Sequence, residues 1–341
     1  MSIMKYLAFK DVKSLLNSPK KIVIIPHYNP DGDAIGSALG LYHYFIQKKH
    51  KTSIIVPNDY PKFLKWLTGT SVIINFESDV EKAKQILFSA DLIFTVDFNA
   101  LHRIGDMKSI LESNTAPKIM IDHHQQPEDY AAYMYSDVEM GSTSEMIYHF
   151  INRIGDSDLL NKSIAEALYT GIVTDTASFR FPKTTPTTHN VVAKLMNCGI
   201  NHSEIHNKIY DSNSFDRIKL LGIALNNLKI ITQHNAAYIT LSQSELDSCN
   251  YQKGDTEGLV NYGLSIKGIK LAAIFIENKS EGIVKISFRS KGNFDVNKFS
   301  RHHFNGGGHK NAAGGKSDLS LEKIVSKFEF LLNDNGTSLS K

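Results

Sequence analysis

The sequence has few cysteines, little net charge and no long apolar run. Its two cysteines, Cys198 and Cys249, cannot build a disulfide framework in 341 residues. That scarcity suits a reducing, cytoplasmic compartment. No apolar stretch approaches the about 20 residues that a membrane span requires. The opening segment MSIMKYLAFKDVKSLLNSPK carries scattered lysines and no continuous apolar core. A first helix is expected there, not a signal peptide. Internal repeats and low-complexity tracts are absent. No GxGxxG follows a strand and no Gly-Lys-Ser/Thr occurs, which excludes the dinucleotide fingerprint and the P-loop. The net charge of +3 says little by itself.

What is present is more informative. The chain is long enough for two cores. KIVIIP (21–26), TSIIV, SVIINF, DLIFTVDF and KIMIDHH are short β-branched apolar runs separated by helical or turn segments. Strands alternating with helices predict an α/β, doubly wound, mainly parallel sheet in the N-terminal domain. Residues 142–174 read as helical, and Pro186 opens a further helix. From AAYITL onward the strands KLAAIFIE and IVKISFRS predict a smaller α/β C-terminal domain. We place the boundaries at 1–185 for the first domain, 186–228 for a helical linker and 229–341 for the second domain.

The polar residues of chemical interest follow the apolar strands, where open α/β sheets bind ligands. HYNPDGD puts His27, Asp31 and Asp33 at a strand-to-helix junction, with Gly32 letting the backbone turn between the two aspartates. Such a group repels itself unless cations neutralise it. The same residues also suit a turn and a helix N-cap. Asp97 ends the run LIFTV, where a charge is costly unless paired or metal-bound; it could equally cap the next helix. Asp122, His123 and His124 follow KIMI directly, and imidazole is a common metal ligand. Asp175 ends an apolar helical stretch, and alone it reads as a helix-end residue. Carboxylates and imidazoles without thiolates suit Mn²⁺, then Mg²⁺, Co²⁺ or Fe²⁺. A pair of such ions activates water and stabilises both the attacking and the leaving oxygen.

In the second half, Gly306, Gly307, Gly308 and His309 lie in GGGHKNAAGG, beside Arg289 at a strand end. Consecutive glycines allow an anion-binding concavity of backbone N–H groups; a flexible loop or close helix packing is the plain alternative. Arg289 suits a phosphate through its bidentate fork, or it is an ordinary surface arginine. The stretch from Lys285 to Lys316 is basic, with Asp295 its sole acid. An acidic metal cluster and a basic segment together fit a phosphate-bearing substrate; a solvated basic face fits the charge equally well.

The set HxxxDxD, strand-end Asp, DHH, a later Asp and GGGH resembles the DHH phosphoesterase superfamily with a DHHA1 C-terminal domain, over nearly the whole chain. In length it is most similar to the stand-alone nanoRNase and pAp phosphatase members. The resemblance implies two divalent ions, usually Mn²⁺. His27, Asp31 and Asp97 would hold one; Asp33, Asp97, His123 and Asp175 the other, with Asp97 shared. His124 would assist catalysis and Asp122 would orient the histidines. Arg289 and Gly306-Gly307-Gly308-His309 would grip the substrate's far end. The expected partner is a short RNA or a nucleotide, without a membrane, and a homodimer stays open. A cyclic di-AMP phosphodiesterase and a non-catalytic nucleotide-binding module are the competing readings; the intact ligand set argues against the second.

Overall fold

The computed structural model of the chain describes residues 9–334. The expected first helix is present as α1 (Phe9–Leu15); of the tail NDNGTSLSK (333–341), expected to fray, Asn333 and Asp334 are helical, and the rest, like residues 1–8, lies outside the described part. The chain divides into two compact units, residues 1–212 and 213–341.

The first unit continues with β1 (Lys21–Ile25), α2 (Gly32–Gln47), β2 (Lys51–Val56), β3 (Ile73–Asn75), α3 (Val80–Phe88), β4 (Leu92–Val96), α4 (Met107–Ser113) and β5 (Lys118–Asp122). It ends with β6 (Tyr133–Ser136), α5 (Thr143–Arg153), α6 (Lys162–Asp175), α7 (Pro186–Met196) and α8 (His202–Tyr210). Its six strands pair in parallel in the order β3-β2-β1-β4-β5-β6. The sheet is doubly wound, as expected. Alternation explains why the strands are apolar throughout. Ile22 and Ile24 of β1 enter one hydrophobic cluster, and Val23 and Ile25 enter the cluster on the opposite face. Helices cover both faces, so neither face can be polar.

The strand order reverses between β1 and β4. Their register sets Ile25 beside Thr95, and Val96 beside Ile121 of β5. The residues just beyond those pairs are His27, Asp97 and Asp122–His124. Pairing alone therefore brings three separate polar segments to one rim of the sheet.

The second unit holds α9 (Phe215–Asn226), β7 (Lys229–Ile231), β8 (Ala236–Leu241), α10 (Gln243–Ser248), α11 (Val260–Ser265), β9 (Leu271–Asn278), β10 (Ile283–Ser290), α12 (Val296–His303), β11 (Gly307–His309), β12 (Ala312–Ser317) and α13 (Leu321–Asp334). Its sheet order is β11-β12-β10-β9-β8-β7, with β8 and β9 parallel and the other pairs antiparallel. An aromatic core of Phe275, Phe288, Phe304 and Phe328 lies inside this unit.

The stretch 186–228 is shared between the units. Val191 and Leu195 of α7 and Ile205 and Ile209 of α8 pack into the first core. Leu220 and Ala224 of α9 pack into the second unit. Among the described residues no helix is long and apolar enough to cross a membrane.

Candidate metal centre

The HYNPDGD turn does two things at once. Asp31 caps α2: its Oδ1 accepts the backbone N–H groups of Asp33 and Ala34, each at 3.1 Å. The same oxygen lies 3.8 Å from Nε2 of His27, which is 3.5 Å from Oδ2 of Asp97. Nδ1 of His27 is 2.9 Å from the carbonyl oxygen of Tyr28. A carbonyl only accepts, so Nδ1 carries the hydrogen, and Nε2 turns a lone pair toward the carboxylates when the ring is neutral. That is the tautomer a metal ligand needs.

His123 repeats the arrangement. Its Nδ1 donates to the Met140 carbonyl at 3.1 Å. Its Nε2 faces Asp175 at 3.4 Å, Asp97 at 3.5 Å and Asp33 at 4.0 Å. Met140 was not visible as a partner in the sequence, because a backbone carbonyl has no residue signature.

Asp97 adopts a left-handed backbone with φ of 64°, a conformation that asparagine and aspartate accept more readily than most residues. Its N–H is held by the Ile121 carbonyl at 3.0 Å. This pose turns Oδ2 toward His27 and Oδ1 toward His123. One carboxylate thus faces two clusters. Thr143, the first residue of α5, donates its hydroxyl to Oδ1 of Asp97 at 2.9 Å. Ser142, its neighbour, is the helix N-cap.

Asp33 is almost fully buried, at 1% exposure. Its two oxygens accept the backbone N–H groups of Thr143 at 2.6 Å and Ser144 at 2.8 Å. The positive end of α5 therefore supports this carboxylate. Asp175 has the opposite setting. It is the last residue of α6, where the helix end disfavours a negative charge.

A glycine stripe brings α2 and α6 together. A Cβ on Gly36 would lie 2.6 Å from the Ala167 carbonyl oxygen and 2.9 Å from the Gly171 nitrogen. On Gly171 it would lie 2.8 Å from Oδ1 of Asp33. Glycine at these positions allows the backbone approach that sets Asp33 near Asp175. The stripe Gly32, Gly36, Gly40 stood in the sequence at helical spacing, and that was the missed signal.

Asp122 supports His124. Its Oδ1 accepts from His124 Nδ1 at 2.7 Å, and its Oδ2 accepts the His124 backbone N–H at 3.0 Å. Asp122 thus orients one histidine directly, while the Met140 carbonyl holds the other. Arg103 was not singled out in the sequence, yet its Nη2 lies 3.4 Å from Nε2 of His124.

In the second unit, Ala312 of β12 pairs with Arg289 of β10 on one side and with His309 of β11 on the other. Directly opposed residues share a sheet face, so Arg289 and His309 stand on the same face, two strands apart. Gly307–His309 of the GGGH segment form β11, paired antiparallel with β12. Gly308 donates its N–H to Oδ1 of Asn297 at 3.0 Å. Gly306 packs against the backbone of Gly314 too closely for any side chain.

Within the first unit, His27, Asp31 and Asp97 form one group whose ligand atoms are close enough to share an ion, and Asp33, His123 and Asp175 form another. Asp97 also lies with Asp122 and His124 in a third such group, in which Asp122 is already engaged by His124. Ligand bonds of about 2.0–2.2 Å set donors about 3–3.6 Å apart around a cation; the shortest imidazole–carboxylate spacings, 3.4–3.5 Å, fit that range, and His27–Asp31 at 3.8 Å and His123–Asp33 at 4.0 Å lie just beyond it. The electrostatics ask for positive charge. Burial and the neighbouring charges of Asp97 and Asp175 raise the Asp33 carboxyl well above its ordinary range. Burial, with Asp31 and Asp97, pushes Asp175 up to about 7. Burial alone would lower His27, but hydrogen bonds and charge from Asp31 and Asp97 raise it to about 10. His123 is likewise raised to about 9 against its burial, by Asp175, Asp97 and Asp33. His124 goes the other way, lowered by burial and by Arg103, and is neutral. Without cations, the cluster holds protons where carboxylates crowd. The residues present fit divalent metal ions.

Comparison with known proteins agrees with this site. The profile of the DHH family N-terminal domain matches residues 21–172, and that of the DHHA1 domain matches residues 234–334. The bifunctional oligoribonuclease and PAP phosphatase NrnA of Bacillus subtilis is 28% identical over 318 residues, covering 92% of this chain and 95% of that protein. The uncharacterized protein MG371 of Mycoplasma genitalium is 30% identical over 325 residues, 92% of this chain and 94% of its own length. The crystal structure of an exopolyphosphatase-related protein from Bacteroides fragilis superposes with a TM-score of 0.94 at 37% identity, covering the whole of both chains. The profile matches, these relatives and the strand-end cluster agree: the chain belongs to the DHH phosphoesterase superfamily, with a DHHA1 domain at its C-terminal end.

Proposed function

We propose that this protein hydrolyses short oligoribonucleotides, including linear dinucleotides, and adenosine 3′,5′-bisphosphate to mononucleotides, using two divalent ions, preferentially Mn²⁺. The observation that carries the reading is the Asp97 carboxylate, whose two oxygens face two separate ligand groups. The substrate class is supported by relatives named as oligoribonucleases and PAP phosphatases, which match over nearly their full lengths. Mn²⁺ is supported by a donor set of carboxylates and imidazoles without thiolates.

His27, Asp31 and Asp97 would hold one ion, and Asp33, Asp97, His123 and Asp175 the other. Held there, the pair would lower the pKa of water toward neutrality and stabilise charge on the attacking and leaving oxygens. The protein's own part is preorganisation. The carbonyls of Tyr28 and Met140 fix the ligand tautomers. The first turn of α5 fixes Asp33 and Asp97. Asp122 orients His124, with Nδ1–H pointing at the carboxylate, while burial and Arg103 keep the ring neutral. Arg289 and His309 are the candidates in the C-terminal unit for a phosphate or ribose group, as neighbours on one sheet face.

The two thiols are free, which suits a cytoplasmic setting. The test is hydrolysis of pApA, longer oligoribonucleotides, adenosine 3′,5′-bisphosphate and cyclic di-AMP with Mn²⁺, with products identified. Mononucleotides from the first three are expected. Exclusive turnover of cyclic di-AMP would overturn the substrate assignment.

A further inference from the structure

We propose that Arg103 is a catalytic residue, binding the non-bridging oxygens of the scissile phosphoryl group beside His124. The inference rests on the phosphoesterase reading above and adds to it a transition-state ligand that the sequence pattern did not mark.

Arg103 lies in the short 3-10 turn Leu101–Ile104, after β4. Its Nη2 is 3.4 Å from Nε2 of His124. On the other side of that ring, Asp122 accepts from Nδ1 at 2.7 Å. With the hydrogen on Nδ1, Nε2 is an acceptor, and the guanidinium is the donor facing it. His124 in this state does not present a proton from Nε2 to a leaving oxygen. It positions Arg103.

The arginine is fixed by the catalytic turns themselves. Tyr28, the residue after His27, donates its backbone N–H to the Arg103 carbonyl at 2.7 Å. The Arg103 N–H goes to the Ala100 carbonyl at 3.0 Å. Glu128 accepts the Leu101 N–H at 3.3 Å. Asn99 donates to the Gln125 carbonyl at 2.6 Å, just beyond His124. A surface arginine has no need of such bracing on both sides.

Charge gives the second argument. Asp31, Asp33, Asp97 and Asp175 would balance two divalent ions. Arg103 then stands half-buried with a positive charge; the buried Asp122 carboxylate feels that charge, but both its oxygens are taken by His124, and among the described residues no carboxylate forms an ion pair with Arg103. Only one of its five N–H donors is engaged by the His124 ring. A guanidinium beside a site meant for cations is repelled unless an anion completes it. The planar fork matches two phosphoryl oxygens, and no proton need leave it.

The test uses the full chain with saturating Mn²⁺ and two substrates, bis(p-nitrophenyl) phosphate and pApA. Arg103→Ala is expected to lower kcat by about 10²–10³-fold, the usual loss for one transition-state donor. Mn²⁺ stoichiometry should stay at the wild-type value. Free guanidinium should restore at least a tenfold part of the loss in Arg103→Ala and nothing in Asp97→Ala. Arg103→Lys, which keeps the charge without the fork, should fall between wild type and alanine, and it serves if the alanine variant folds poorly. A kcat within threefold of wild type, loss of Mn²⁺ binding in both variants, or failure of guanidinium to rescue a folded, metal-loaded variant would overturn the assignment. No hydrolysis by the wild-type protein would instead sink the phosphoesterase reading, and this assignment with it.

Discussion

Replacing Gly36 by alanine tests whether helix packing sets the metal spacing. The new Cβ would meet the Ala167 carbonyl oxygen at 2.6 Å, the Gly171 nitrogen at 2.9 Å and the Gly171 Cα at 3.0 Å. All three are backbone atoms, so no side chain can swing away. Ordinary contact begins near 3.4 Å, and α2 and α6 must part by up to about 0.8 Å. Such overpacking costs about 1–3 kcal/mol, and alanine returns about 0.8–1 kcal/mol through helix propensity. The net loss of about 0–2 kcal/mol lowers Tm by no more than about 8 °C for a unit of this size. Activity should suffer far more. Asp33 sits in the first turn of α2 and Asp175 at the end of α6. A misplacement near 1 Å costs about 10²-fold in rate. Calorimetric melting in chelator and Mn²⁺-dependent hydrolysis should therefore diverge, with a small Tm loss and a fall in kcat on the order of 10–100-fold. Gly222→Ala in α9, where nothing lies within 4 Å of the new Cβ, is the control: kcat should be unchanged and Tm should rise by a few degrees, the return of about 0.8–1 kcal/mol of helix propensity without a clash. A Gly36→Ala protein with reduced Tm but normal Mn²⁺ titration and kcat would refute the spacing argument.

Two other outcomes follow from the same geometry. Arg289→Ala should raise KM for pApA with little change in kcat; an unchanged KM with a collapsed kcat would remove Arg289 from substrate binding. The raised His27 and His123 imply proton release on metal loading. Near pH 8 both rings, at about 10 and about 9, are protonated in the metal-free protein. Metal needs them neutral, so calorimetry in buffers of different ionisation enthalpy should report release of about two protons or more. The sign for stability is also set. A histidine raised above its ordinary 6.5 stabilises the metal-free fold fully below that value, and the contribution is lost as pH climbs through 9 to 10. The chelated protein should lose Tm over that window, and near-zero proton release would contradict the assignment.

The sheet and the acidic cluster were legible in the sequence for one physical reason. Strands buried on both faces must be apolar, so a polar residue directly after KIVIIP, LIFTV or KIMI marks a strand end, where a parallel sheet gathers its ligands. His27, Asp97 and Asp122–His124 stand out on that background. What escaped was carried by groups without such contrast. The Met140 and Tyr28 carbonyls that set the histidine tautomers belong to the backbone. Gly36 and Gly171 read as weak points in helical patterns, because a close approach between helices shows only once both are in place. Arg103 resembles any exposed loop arginine until the 3-10 turn aims it at His124. The glycines of GGGH suggested an anion nest, but antiparallel pairing with β12 and the Asn297 side chain take up that segment. Residues 186–228 looked like a linker because α7 and α8 are polar on one face; their apolar faces pack on the first unit.

The shared Asp97 carboxylate is the centre of the account, and anomalous diffraction at the manganese edge from Mn²⁺-soaked crystals tests it most directly. Two peaks are predicted, one bonded to His27 and Asp31, the other to Asp33, His123 and Asp175, with Asp97 bonded to both. A single peak, or two peaks that do not share Asp97, would contradict it.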